Sequence, residues 1–209
     1  MLKLNRRAMI ALAAAATAAI SPALAQETTT ATTAGVPGDF SLGSPDAPVK
    51  IVEYASFTCP HCANFHETVF KTLKTDYIDT GKVQFTLREV YFDRYGLWAA
   101  MVARCGGDMR YFGIHDMLFA QQQDWAASQD PTEVVGKLKT IGLTAGLDQA
   151  ALDTCLNDQA QAEALIKQFE TNMAADGVKG TPTIFVNGTN VGNPGYDDLK
   201  AAIEAELAK

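Results

Sequence analysis

Val49-Lys50-Ile51-Val52-Glu53-Tyr54-Ala55-Ser56-Phe57-Thr58-Cys59-Pro60-His61-Cys62 changes character halfway along. Its first part follows the turn-like stretch 44–48 (SPDAP) and is rich in branched and aromatic residues, so Val49–Phe57 reads as a buried strand. From Pro60 the spacing becomes helical, with Phe65, Val69, Leu73 and Tyr77 on one stripe and Gly81 closing the run. Two cysteines, one helical turn apart, therefore fall at a strand-to-helix junction.

Outward from this junction, Val83–Phe92 reads as a second strand. Leu97 to about Gly177 reads as helical throughout. Apolar stripes recur there at Leu97, Met101 and Val102, at Ile114, Met117 and Leu118, at Val134, Leu138 and Ile141, and at Leu165, Ile166 and Phe169. Pro131 is placed to start a helix, and Gly142 and Gly146 to punctuate its end. Strand character returns at Thr183–Val186. The turn Asn187-Gly188 should fold Thr189–Val191 back as a hairpin. Tyr196–Leu207 is a closing amphipathic helix with Asp197 and Asp198 in its first turn. Strand, helix, strand, helical block, hairpin and helix predict an α/β fold carrying an inserted all-helical lobe.

Residues 1–25 read as a secretory signal: Lys3, Arg6 and Arg7 precede a short apolar stretch, and Ala23-Leu24-Ala25 supplies small residues for cleavage. Residues 26–37, rich in Thr and Ala without apolar periodicity, read as a flexible leader. Removing the signal takes three of the 17 basic residues and no acid, which leaves 14 against 24 and a net charge of −10. That balance argues against nucleic acid or an anionic membrane as a partner. The expected location is the periplasm, an oxidising compartment in which four cysteines suit disulfides.

Three chemistries compete for Cys59 and Cys62. A zinc clamp needs four ligands, whereas Cys105 and Cys155 stand alone on helical segments and the chain has 3 histidines, so no metal is expected. A structural staple closing so short a loop would constrain little of the unfolded chain. The favoured reading is a redox pair that needs no other cofactor. At a helix start the first backbone N–H groups lack internal partners, and the helix dipole favours negative charge; both effects stabilise a Cys59 thiolate. Pro60 suits the first helical position, and His61 can offer the sulfur a positive charge or a donor. Cys62, one turn inside, should be buried and less acidic. A thiolate pKa lowered from ~8.5 to ~4.5 would favour the reduced form by roughly 3.4 kcal/mol at pH 7, or roughly 70 mV. Cys105 and Cys155 are expected to form a second, structural disulfide closing a loop of about 50 residues. His66 and His115 read as surface or packed helix residues, and Trp98 and Trp125 as packing residues of the lobe.

CPHC after a buried strand, followed much later by Gly180-Thr181-Pro182-Thr183, resembles the DsbA-like thiol:disulfide oxidoreductases of the thioredoxin superfamily. The stretch 38–62 is similar to the start of those proteins, and the resemblance runs from about Asp39 to the C-terminus. It implies a thioredoxin fold over 38–96 and 178–209, with 97–177 as the helical insertion. It also implies a cis Thr181–Pro182 bond beside the active disulfide, where substrate binds, and reoxidation by a DsbB-like membrane quinone oxidoreductase. The activity implied is donation of the Cys59–Cys62 disulfide to unfolded secreted proteins with free thiols, by a monomer. The same-fold alternative is a reductase or isomerase, and the other is a chaperone-like peptide-binding module. Glu53 matches a buried acid that assists proton transfer near the inner thiol, but it reads equally as a strand Glu with a solvent or ion-pair partner. Two departures stand out. The basic partner that some relatives give this acid falls near Leu87, while the adjacent Arg88 should face the other side. Thr181 stands where some oxidases have Val and several reductases and isomerases have Thr.

Overall fold

The computed structural model describes residues 38–209; the expected signal and leader lie outside the described residues. Five strands form one sheet: β1 (Phe40–Leu42), β2 (Val49–Ala55), β3 (Val83–Glu89), β4 (Thr183–Val186) and β5 (Thr189–Gly192). Their order is β1-β3-β2-β4-β5, with β2 and β3 parallel and the other pairs antiparallel. β2 is thus the middle strand. Its neighbours hold Glu53 between Leu87 and Ile184. Side-chain alternation puts Glu53 on the face of Ile51 and Ala55, which belong to the main core. Tyr54 points to the opposite face, where Val52, Phe169, Met173, Val178 and Phe185 form a smaller cluster.

The helix after β2 runs continuously from 60 to 78 and is termed α1. Pro60–Phe65 and Lys71–Leu73 are α-helical, while His66–Phe70 and Lys74–Ile78 widen to π geometry. Its apolar side, Phe65, Val69, Phe70, Leu73 and Tyr77, is buried against the sheet. At the other end of the chain, α8 (Tyr196–Leu207) buries Leu199 and Ile203 in the same core. The β4–β5 turn puts Asn187 at φ 44° and Gly188 at φ 81°. Two successive positive φ values are what an Asn-Gly hairpin turn requires.

Six helices separate β3 from β4: α2 (Arg94–Cys105), α3 (Gly107–Ala120), α4 (Gln122–Trp125), α5 (Pro131–Thr144), α6 (Gln149–Leu156) and α7 (Gln159–Ala175). Four begin with an aspartate whose carboxylate accepts from a free first-turn N–H: Asp93 from Gly96, Asp130 from Thr132, Asp148 from Ala151 and Asp158 from Gln161. Pro131 occupies the first turn of α5. Gly142 permits a close crossing of α5 and α6, since a Cβ there would lie 2.6 Å from Leu152 Cδ2. Cys105 and Cys155 are bonded, with their Cα atoms 5.9 Å apart. Trp125 is buried and donates to the Leu118 carbonyl at 2.8 Å. Trp98 is partly buried and packs on Tyr95.

The lobe meets the sheet through a buried polar knot. Glu89 accepts from Arg104 Nε at 2.7 Å, Tyr91 OH at 2.6 Å and Tyr111 OH at 2.6 Å. One carboxylate thereby receives three donors, which offsets the cost of burying it. Arg88 lies on the opposite face, bound to Asp39, Asp176 and the Tyr54 hydroxyl.

Several expected boundaries move. β2 stops at Ala55 and β3 at Glu89, because after Val90 N donates to Ala55 O the chains diverge and Phe92 is exposed. The helical block starts at Arg94, set by the Asp93 cap, and is interrupted at 106, 121, 126–130, 145–148 and 157–158; the helix start expected at Pro131 is found. β1 was not expected; three residues are too short to show alternation.

Candidate active site

Cys59 is the residue that caps α1, with extended backbone (φ −80°, ψ 118°) before Pro60 at the first helical position. Its carbonyl accepts from the Cys62 and Ala63 N–H groups at 3.1 and 3.2 Å. Its sulfur is partly buried, whereas Cys62 is fully buried, and both are free thiols. Pro60 and His61 are exposed at the helix mouth. From the far end of the fold, the loop before β4 brings Thr181 against Cys59: Cys59 Sγ lies 3.5 Å from the Thr181 carbonyl oxygen, and the Thr181–Pro182 bond is cis.

The two sulfurs have opposite acid strengths. Cys59 is lowered to about 5, chiefly because the Cys62 thiol donates to it. Partial burial opposes the shift, and the Thr181 hydroxyl and the backbone N–H groups of Cys62 and His61 add to it. The Thr181 hydroxyl is buried without a hydrogen-bond partner. The expectation from sequence gave the amides the leading part; instead the inner thiol leads, the Thr181 side chain follows and the amides come last. Cys62 is pushed far up, first by burial, then by holding its proton on Cys59, then by the charge of Glu53.

Glu53 is fully buried, and its Oε2 lies 2.9 Å from His66 Nε2. Burial raises the carboxyl to about 8 and lowers the imidazole to about 3. These directions make the pair a hydrogen bond between neutral groups at pH 7, although the distance alone would qualify as an ion pair. Glu53 therefore does not reach solvent; its partner is His66. The packed reading of His66 holds, but its position against the acid was missed. Cys62 and His66 are four residues apart on one helix, so both face inward one above the other. Extending the stripe Leu73, Val69 back by one turn reaches His66, and by two reaches Cys62. His115, also buried, lies edge-on to His66 with ring centres 4.4 Å apart.

Gln122 was likewise missed. It is buried, and its side-chain amide donates to the carbonyls of Phe57 at 2.8 Å and Cys59 at 2.9 Å. Thr58 bonds the α2 cap Asp93 at 2.6 Å, so the lobe grips the cysteine loop from two sides. Among the described residues no cluster of three or more His, Cys, Asp or Glu is placed to hold a metal ion. No helix among them is long and apolar enough to cross a membrane.

A cysteine at a helix mouth, a buried cysteine one turn on and a cis Thr181–Pro182 bond beside the first sulfur are a thioredoxin-type arrangement on a thioredoxin-type sheet. The thioredoxin family model matches residues 35–205, and the chain belongs to that family. It is 40% identical over 172 residues to a Rickettsia felis protein named as a protein-disulfide oxidoreductase, covering 81% of this chain and 60% of the relative. The chain thus spans about three fifths of that relative's length. It is 28% identical to disulfide bond formation protein D of Bacillus subtilis, covering 82% of this chain and 78% of the relative. Among solved structures it is similar to alpha-DsbA1 of Wolbachia pipientis, with a TM-score of 0.76, 28% identity and coverage of 83% and 93% of the two chains.

Proposed function

We propose that this protein is a DsbA-like thiol:disulfide oxidoreductase that works as an oxidase, giving its Cys59–Cys62 disulfide to secreted proteins in the periplasm. The observation that carries this reading is the placement of Cys59 at the mouth of α1 against the cis Thr181–Pro182 segment, with Cys62 buried one turn inside; that placement lowers Cys59 and raises Cys62. A substrate thiolate attacks Cys59 Sγ, the Cys59–Cys62 bond breaks, and its electron pair goes to Cys62 sulfur. Cys62, with its raised pKa, takes up a proton, which in this reading comes from Glu53. A second substrate thiolate then attacks the substrate sulfur of the mixed disulfide, and Cys59 leaves as a stable thiolate. Stabilising that thiolate stabilises the reduced protein, so the disulfide form is the better oxidant.

In this reading an extended substrate lies along Thr181 and Pro182, beside the Cys59 sulfur. Pro60 and His61, exposed at the helix mouth, meet it from the other side. A DsbB-like quinone-linked membrane protein reoxidises the pair, the protein acts as a monomer, and residues 1–25 export it. The division into 38–96 with 178–209 as the thioredoxin-like part and 97–177 as the lobe belongs to the same reading.

The test is the reduction potential of the pair together with trapping of a mixed disulfide. The oxidase reading expects a potential well above that of thioredoxin, and a Cys62→Ser variant that accumulates substrate on Cys59. A thioredoxin-like potential would transfer the reading to a reductase. Peptide binding that survives Cys59→Ser, with no turnover in the native protein, would transfer it to a chaperone-like module.

A further inference from the structure

A groove of about 630 Å³ opens between α1 and α3, lined by Phe70, Met117 and Phe119 with Lys71, Lys74 and Asp116. His66 also lines it, although only 5% of the residue is exposed. One imidazole therefore touches the groove and, through Nε2, the fully buried Glu53. Its second nitrogen, Nδ1, is buried without a partner, and so is Glu53 Oε1. The same ring stands one helical turn below Cys62.

The exchange chemistry needs such a connection. Each time the Cys59–Cys62 bond breaks, the electron pair left on Cys62 sulfur takes a proton inside the core. When Glu53 supplies it, a buried carboxylate remains, and burying that charge is costly. Glu53 has no exposed surface of its own through which water could restore its proton.

We propose that His66 is the relay that reprotonates Glu53 from the groove, acting on the chemistry through Glu53 rather than on the sulfurs directly. Nδ1 is covered, so an opening of the groove lining is what lets water reach it; it then takes a proton as Nε2 gives its own to Glu53 Oε2. One proton moves inward, and the ring ends neutral in its other tautomer. During reoxidation the path runs backward: Cys62 gives its proton to Glu53, Nε2 takes it from Oε2, and Nδ1 releases a proton to the groove. The inference rests on the disulfide-exchange reading above.

The surroundings of His66 favour transfer without a stored charge. Glu53 faces it from β2, Phe85 from β3, and His115, Asp116 and Phe119 from α3, with the Phe119 ring stacked at 4.2 Å. Phe70 packs on it from α1 itself. Burial holds both imidazoles toward the neutral form. His115 Nδ1 is engaged with Asp116 at 3.0 Å, and His115 makes no hydrogen bond with Glu53. His66 is therefore the ring in direct bonding contact with the acid.

The experiment isolates the step in which Cys62 must lose its proton. The full chain is reduced and Cys59 is loaded with glutathione as a mixed disulfide. Release of glutathione by Cys62 is then timed from pH 5 to 9, in water and in deuterium oxide, for the native protein, His66→Gln and His66→Ala. The relay expects His66→Gln to slow release about tenfold or more and to change its pH profile, while Cys59 still titrates as in the native protein. It expects free imidazole to restore His66→Ala in proportion to its concentration. Native rates, pH profile and isotope effect in His66→Gln would overturn it. So would a slow His66→Ala that imidazole leaves unchanged. Should His66→Ala not fold, the profile and isotope effect of His66→Gln decide. If the native protein itself releases no glutathione, the exchange reading fails and the relay with it.

Discussion

Gln122, on the shortest helix of the lobe, donates its side-chain amide to the carbonyl of Cys59 at 2.9 Å. The same nitrogen reaches the Phe57 carbonyl at 2.8 Å. Two backbone acceptors on either side of Thr58 thus depend on one buried amide from 63 and 65 residues away. Gln122→Ala should lower stability by roughly 1–3 kcal/mol, the cost of leaving buried polar groups unpaired. It should also slow exchange with a dithiol peptide. The denaturation midpoint and the exchange rate check this, and an unchanged midpoint would mean that solvent replaces the amide without loss.

Cys59 should titrate near pH 5 when thiolate absorbance is followed in the reduced protein. Its folded value is below its unfolded one. The stabilisation it brings is therefore complete above the unfolded thiol range and is lost as pH falls through about 5. The reduced protein should lose thermal stability relative to its own Cys59→Ser variant between pH 7 and pH 4. Because the leading donor is the Cys62 thiol, Cys62→Ala should raise the Cys59 pKa. A Cys62→Ala titration unchanged from the native one would move the credit back to the helix amides.

Glu53 and His66 should shape the pH dependence of folding from opposite sides. Glu53 has a folded value raised to about 8, so its contribution is complete below about 4.5 and is lost as pH rises through 8. His66 has a folded value lowered to about 3, so its contribution is complete above about 6.5 and is lost as pH falls toward 3. Glu53→Gln should flatten the alkaline arm, with a gain on the order of 2 kcal/mol over the native protein at pH 9. His66→Gln should flatten the acid arm instead. Equilibrium unfolding across pH separates the two, and an alkaline arm that persists in Glu53→Gln would refute the assignment.

Removing the lobe disulfide with Cys105→Ala and Cys155→Ala should cost about 4 kcal/mol in the chain-entropy model, given a sequence separation of 50. The Cys59 titration should be unaffected, because the lobe reaches the active loop through Gln122 and Asp93 rather than through this bond. Calorimetry and thiolate absorbance on the double variant test both parts. A shifted Cys59 pKa would show that the bond also tunes the site.

How much of this was legible in the sequence differs from residue to residue. The junction at Cys59 was, because the change from strand to helical spacing is local and Pro60 marks it. Parity along β3 was enough to turn Arg88 away from Glu53. The partner that Glu53 does use, His66, lies on the helix and not on the neighbouring strand where a base was sought. A search for a positive charge also passes over a neutral imidazole. Gln122 carries no pattern at all, since a side chain bonding two distant carbonyls leaves no periodic trace. The sequence placed Cys59 at the cap, yet the direction of the Cys62 S–H bond is set only once α1 has packed. β1 escaped because three residues cannot show a period, and its pairing partner comes 43 or more positions later.

The acid at the heart of this site is carried by the middle strand of five. Sheets open from their rims inward, and hydrogen exchange is slowest where opening must involve the whole sheet. Water admitted by fraying would wet β1 and β5 long before it wet Glu53. In the proposed exchange the proton is thus kept in the part of the sheet least open to fraying, and its passage on the timescale of turnover is expected to run through side chains of the intact fold.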